Sequence, residues 1–178
     1  NIKEEHKIDF IIANGENASH GFGLTIDSSK ELFSSGIDLI TGGNHSFDKK
    51  KDVQYLHESG NVLRPDNYPE GVVGSGFKIC DIKVEERVEK LAVINLMGQF
   101  AMPLVENPFN WATKLIKNLE EQNIKNIFVD FHGEATSEKR VMLMMFKNRV
   151  SAICGTHTHV GTDDLQIFEN TAYLTDIG

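Results

Sequence analysis

The chain has 178 residues, of which 40% are hydrophobic and 25% charged, enough apolar material for a real core and an ordinary globular composition rather than a disordered one. No apolar run approaches the roughly 18 residues that a membrane-crossing helix needs. With 18 Lys and Arg against 26 Asp and Glu, the net charge of -8 argues against sequence-independent binding along a nucleic-acid backbone, and small anionic substrates are plausible only if a metal supplies positive charge.

In chain order, residues 7–13 (KIDFIIA) predict a buried strand, and residues 25–35 a helix that Gly36 can end by accepting a left-handed conformation. A second strand follows at 37–41. Residues 48–59 predict a charged surface helix stopped by Gly60, with a Pro-containing loop at 63–69. Residues 77–84 and 91–96 pair as antiparallel strands around a polar turn at 85–90. Asn107 is placed to cap a helix with Pro108 at its first position, and Trp111, Leu115, Ile116 and Leu119 recur at helical spacing to about Gln122. A strand at 127–131, a helix at 137–147, a strand at 151–154 and a hairpin of 165–168 with 172–175 complete the chain. Strands alternating with helices imply an α/β fold, with a mostly parallel sheet made mixed by its edge hairpins.

Four of these strands end, at their carboxyl side, in side chains able to hold a metal: Asn14-Gly15-Glu16-Asn17, Gly42-Gly43-Asn44-His45, Phe131-His132-Gly133 and Gly155-Thr156-His157-Thr158-His159. Ligands of α/β sheets bind outside the carboxyl ends of strands, so four separate segments aim at one place. Imidazole, carboxylate and amide oxygen without thiolate suit Mn, Fe, Co, Ni or Zn rather than calcium or a Cys-rich structural zinc site. His157 and His159 would face opposite sides of a regular strand, whereas in a Gly-led loop they can straddle a pair of ions. Glu16 could bridge two cations, although one carboxylate is too little negative charge for two, and a further acid is expected.

The strings NGENASHG, GGNHSFDKK, LRPDNYPEG, DFHGEATSEK and GTHTHVGT resemble the calcineurin-like metallophosphoesterases, specifically their YmdB-type branch of bacterial phosphodiesterases, over nearly the whole chain and in the same order. The resemblance implies a metallophosphoesterase-type sandwich of mixed β-sheets flanked by helices. It implies two metal ions, Fe or Mn first and Zn, Co or Mg as alternatives. Glu16 would bridge them, Asn17 and His159 would serve the first metal, and Asn44, His132 and His157 the second. His45 resembles the family's catalytic histidine, which would act as general acid or stabilise the equatorial oxygens, as an imidazole can carry a proton near neutrality. The implied reaction is hydrolysis of a small phosphodiester, such as a 2′,3′-cyclic nucleotide opened at the 2′ ester, through in-line attack of a metal-bridging hydroxide, by a cytoplasmic homo-oligomer without membrane or extended nucleic-acid partners. The family's GDxVG strand end, whose Asp binds the first metal, is not in this sequence. The chain is therefore expected to be a single domain, 1–178, incomplete at both ends, and Gly161 stands where relatives carry Gln.

Other residues are weighed beside these. Asp130, one residue inside its strand, is expected to hydrogen-bond a ligand histidine rather than coordinate directly. His20 could line the pocket or cap its loop, and Arg64 could steer phosphate or pair with an acid. His6 and His57, among charged neighbours, are expected to be solvated. Phe100, Phe109 and Trp111 are expected in a core or interface rather than as base-stacking platforms. Cys80 and Cys154 read as reduced thiols, which suits the cytosol. No serine-hydrolase elbow or dinucleotide fingerprint is present. A regulatory or scaffolding oligomer with a structural or incomplete metal site, and a metal-dependent amidohydrolase, are the alternatives.

Overall fold

Two sheets meet face to face in the computed structural model, which describes residues 2–178. The smaller holds β1 (Ile12–Asn14) and β2 (Leu39–Thr41), paired in parallel. The larger is mixed, in the order β3 (Phe77–Val84), β4 (Arg87–Met97), β5 (Asn126–His132), β6 (Ala152–Thr156), β8 (Thr171–Leu174) and β7 (Gln166–Phe168). Its inner strands β4, β5, β6 and β8 run parallel, and the two antiparallel partners β3 and β7 sit at the edges, as the edge hairpins predict.

Alternation along the strands sorts side chains between the two faces. Ala92, Ile94 and Leu96 of β4 and Ile127, Val129 and Phe131 of β5 join a core with Ala112, Ile116 and Leu119 of α4 (Pro108–Glu121) and Met142, Leu143 and Phe146 of α5 (Thr136–Phe146). Each of these large side chains contributes about 1.5–3 kcal/mol on removal from water. The opposite face of β4 and β5 carries Leu91, Val93 and Phe128, which pack on Ile12, Leu39 and Leu63 between the sheets. Further along that same face stand Asn95, Asp130 and His132, where polar side chains replace the apolar filling. On the outer side of the small sheet, Ile40 packs with Leu32 and Phe33 of α2 (Ile26–Ser34) and Leu56 of α3 (Lys50–Glu58).

Local chemistry sets the element ends. Thr25 caps α2 by accepting from the Ser28 amide, and Gly36 follows it at φ +104. Asn107 accepts from the amides of Phe109 and Asn110 with Pro108 at the first turn of α4. Residues 7–13 depart from the expected strand: α1 (Ile2–Glu5) precedes, Lys7 turns at φ +51, and pairing begins only at Ile12. The Ile11 amide donates to the Asp38 carboxylate instead of to a neighbouring strand. The turn expected over 85–90 is shorter, with Glu85 at φ +54 and β4 already begun at Arg87. Among the described residues, no helix is long and apolar enough to cross a membrane.

Candidate metal centre

The carboxyl ends of β1, β2, β5 and β6 converge, and each contributes side chains to one cluster. Glu16 lies two residues past β1 in a turn that Asn14 holds by accepting the Glu16 amide, 3.2 Å away. The residue is 3% exposed. Oε2 accepts the His45 amide at 3.0 Å, whereas Oε1 is buried, has no hydrogen-bond partner among the described residues, and stands 3.4 Å from His132 Nε2. Burial pushes the Glu16 carboxyl above its ordinary range, against the opposing pull of the His45 amide. Gly43 makes this approach possible, because a Cβ there would fall 2.4 Å from both Glu16 Oε2 and the His132 ring.

His132 is fully buried, and desolvation lowers its pKa to about 3, so the ring is neutral and its contact with Glu16 is not an ion pair. Its tautomer follows from its neighbours. The Thr156 hydroxyl donates to Asp130 Oδ1 at 2.7 Å and must therefore accept from His132 Nδ1–H at 2.9 Å. This leaves Nε2 with a bare lone pair, 2.8 Å from Asn44 Oδ1 and 3.2 Å from His157 Nδ1. His157 stands with its Nε2 3.2 Å from Oε2 of the exposed Glu134 and its Nδ1 turned toward His132. Burial also lowers the His157 pKa, and Glu134 opposes that shift.

Glu16, His132 and His157 thus present ligand atoms that all lie within 4.8 Å of one another, with the Asn44 amide oxygen beside them. Acceptors facing one another without a hydrogen between them repel, and a cation relieves that repulsion, so these residues fit a metal ion. Asn17 and His159 form an adjoining pair, Oδ1 to Nε2, at 3.2 Å. Both flank a cavity of about 370 Å³ that Glu16 and His157 also line. The loop is not a strand continuation: His157 sits at φ +110 and His159 at φ +57, conformations that cost on the order of 1–3 kcal/mol each and need outside support. That support comes from Asp176, which accepts from the Thr158 amide at 3.1 Å and its hydroxyl at 2.8 Å while pairing with buried Lys139 at 2.7 Å.

His45 stands at the rim, its Nδ1 2.7 Å from Asp48 Oδ2. Several residues differ from expectation. Asp130 touches no ligand histidine directly; it accepts from Thr41, Thr156 and Asn14 and reaches His132 only through Thr156. Burial raises its pKa, and those donors counter the shift. His57 is buried, not solvated, between the Val62 and Ser46 carbonyls, while His6 is exposed. Arg64 neither faces the site nor chiefly serves an acid; its guanidinium donates to the carbonyls of Pro65, Asp66, Val72, Val73 and Gly74 and staples that loop. His20 stays exposed at φ +61. Phe109 and Trp111 border the core, the Trp111 indole donating to Asp66, but Phe100 is 65% exposed. Glu134, Thr156, Lys139 and Asp176 escaped sequence reasoning, although Glu134 and Lys139 lie inside the DFHGEATSEK string.

A mixed sheet facing a smaller one, with Glu, Asn and His gathered at the strand ends, defines a metallophosphoesterase-type protein. A model of the YmdB-like protein family matches residues 1–178, and the chain belongs to that family, which implies divalent metal ions. It is 44% identical over 178 residues to a 2′,3′-cyclic-nucleotide 2′-phosphodiesterase of Bacillus subtilis (strain 168), covering 99% of this chain and 66% of that protein. A solved structure described as a novel phosphatase from Mycoplasma pneumoniae matches with TM-score 0.89 and 34% identity over 99% of this chain and 63% of that one. The 5′-nucleotidase of Candida albicans SC5314 shares the fold alone, with TM-score 0.60 and 14% identity over 97% of this chain and 37% of that one. The chain spans slightly less than two thirds of the length of the curated relatives it matches.

Proposed function

We propose that these 178 residues form one metallophosphoesterase domain that hydrolyses a small phosphodiester, such as a 2′,3′-cyclic nucleotide opened at its 2′ ester. The observation that carries this reading is the inward convergence of ligand atoms: Glu16 Oε1, without a partner among the described residues, His132 Nε2, His157 Nδ1 and Asn44 Oδ1. Glu16, Asn44, His132 and His157 would hold one ion, and Asn17 and His159, sharing Glu16, a second. Mn or Fe suits imidazole, carboxylate and amide together. When bound, such ions activate water and withdraw charge from phosphate oxygens.

The chain's own residues do the rest. The Thr156 hydroxyl keeps His132 in the tautomer whose Nε2 faces the ion, and Glu134 stands at the outer nitrogen of His157. Asp48 holds the His45 ring at Nδ1, leaving Nε2 to deliver a proton to the departing ribose oxygen as the P–O2′ bond breaks. Water adds to phosphorus, and the product is the 3′-monophosphate. The similarity to the Bacillus subtilis phosphodiesterase supports the substrate class. The resemblance in the sequence extends the proposal to a cytoplasmic homo-oligomer, and the unpaired thiols Cys80 and Cys154 are compatible with a reducing compartment.

The test is to load the purified protein with Mn(II) or Fe(II), measure metal per chain by elemental analysis, and follow 2′,3′-cyclic AMP by chromatography. Adenosine 3′-monophosphate is the expected product. Metal-loaded protein inert toward phosphodiesters but active on amides would transfer the site to the amidohydrolase reading, and inertness toward both would leave the scaffolding one.

A further inference from the structure

Beside the metal centre, Phe22 is 49% exposed and joins none of the three core clusters among the described residues. A single exposed ring is ordinary on a protein surface, and what sets Phe22 apart is its setting. The loop that carries it is built to present it. The Asn17 side-chain amide donates to the Gly21 carbonyl at 2.7 Å, and the Ser19 amide to the Gly23 carbonyl at 3.0 Å. Gly21 at φ +90 and Gly23 at φ +74 flank Phe22 with backbone conformations that other residues rarely adopt. Gly23 also leaves room for Lys49, since a Cβ there would meet Lys49 Cγ at 2.8 Å. Lys49 uses that room to set its ammonium 4.2 Å from the Phe22 ring centroid. The ring lies 6.2 Å from the His45 ring, tilted by 50°, and the His45 amide is bonded to Glu16. An aromatic face, a cation, the proposed proton donor and the metal cradle therefore follow one another along a single rim.

We infer that Phe22, steadied by Lys49, is the platform on which the nucleobase of the substrate stacks, so that this rim selects nucleoside phosphodiesters over diesters without a base. The inference rests on the phosphodiesterase reading and adds to it a specificity-determining residue. A cyclic nucleotide with its phosphate at Glu16 and His132 and its leaving oxygen at His45 carries its base one ribose away, within reach of the Phe22 ring that lies 6.2 Å from the His45 ring. Lys49 stands over the ring, and half of Phe22 is open to solvent, where a base can stack. Stacking of this kind tolerates any base, because every base has a π-face.

The test compares 2′,3′-cyclic AMP with glycerol 1,2-cyclic phosphate, which keeps the five-membered diester and lacks a base, on the metal-loaded wild-type, Phe22→Ala and Phe22→Tyr proteins. The expected result is a fall in the ratio of kcat/KM for the two substrates by on the order of tenfold in Phe22→Ala, carried by KM for the nucleotide, with the ratio restored in Phe22→Tyr. Calorimetric titration with adenosine 3′-monophosphate and with glycerol 1-phosphate supplies a readout independent of turnover, and the same selective loss is expected. A ratio that stays at the wild-type value overturns the inference, as does a change in sedimentation mass without a change in ratio, which would make Phe22 a subunit contact. If the wild type opens neither diester, the phosphodiesterase reading fails, and the calorimetric comparison still decides whether Phe22 selects for a base.

Discussion

His132 Nδ1 lies 2.9 Å from the hydroxyl of Thr156, on the neighbouring parallel strand, and that hydroxyl already donates its hydrogen to Asp130. One buried hydroxyl thereby decides which nitrogen of a buried imidazole is bare. Replacing Thr156 with Val keeps the shape and removes the acceptor, so the His132 proton loses its anchor while Asp130 loses a donor. Metal affinity is expected to fall about 10- to 100-fold, and Thr156→Ser to keep most of it. Equilibrium metal titration of the two variants checks this, and equal affinities would remove Thr156 from the site's support.

His45 holds no position among the convergent acceptors; only its backbone amide reaches Glu16. His45→Asn is therefore expected to bind metal at the wild-type stoichiometry and to lose about 10²- to 10⁴-fold in kcat. Parallel elemental analysis and steady-state rates separate the two effects. Turnover at the wild-type rate would take the proton-donating role away from this side chain.

The strand ends were legible in the sequence because short apolar runs such as Leu39 to Thr41 stop at glycine and polar side chains together, and the caps because Asn107-Pro108 and Gly36 have few other uses. Glu16, Asn17, Asn44, His132, His157 and His159 all lie past or at such ends, and the fold brings them side by side. What the sequence hides is whatever depends on a partner far along the chain. Thr156, expected in the loop past the strand, lies inside β6, and its role is hidden until Asp130, 26 positions earlier, is placed beside it. His57 stands in a charged helix and reads as solvated, yet Val62 and Ser46 carbonyls enclose it. The apolar run at 7–13 reads as one strand because periodicity cannot show that the Asp38 carboxylate claims the Ile11 amide.

His57 gives the fold an acid-sensitive point outside the metal centre. Burial lowers its pKa from the ordinary 6.5, with the Ser46 and Val62 carbonyls opposing the shift. The unfolded chain therefore takes up this proton first as pH falls. Stability is complete above about 6.5 and declines below it, toward the folded pKa, by at most about 1.4 kcal/mol per pH unit for this group. His132, lowered to about 3, acts with the same sign. Urea midpoints of the metal-free protein between pH 7.5 and 5.5 are expected to drop, and His57→Gln to make that drop shallower; an unchanged slope would show that His57 is not titrating in this range.

Lys139 is completely buried on α5 and pairs with Asp176 at 2.7 Å, directly behind the loop that carries His157 and His159. Burial works to raise the Asp176 carboxyl, and the bonds from Lys139, Gly178 and Thr158 outweigh it, so the group stays below the ordinary carboxylate range. Removing one member of such a pair leaves the other charge without compensation, which typically costs about 3–5 kcal/mol. Lys139→Met is expected to lose stability on that scale in urea unfolding, and Lys139→Met with Asp176→Asn to lose less than the two single losses combined, because the double variant leaves no unpaired charge behind. It still forfeits the carboxylate that holds Thr158, so its metal affinity should remain low even where its stability recovers. Recovery of both together would show that the strained His157 and His159 backbone does not depend on Asp176.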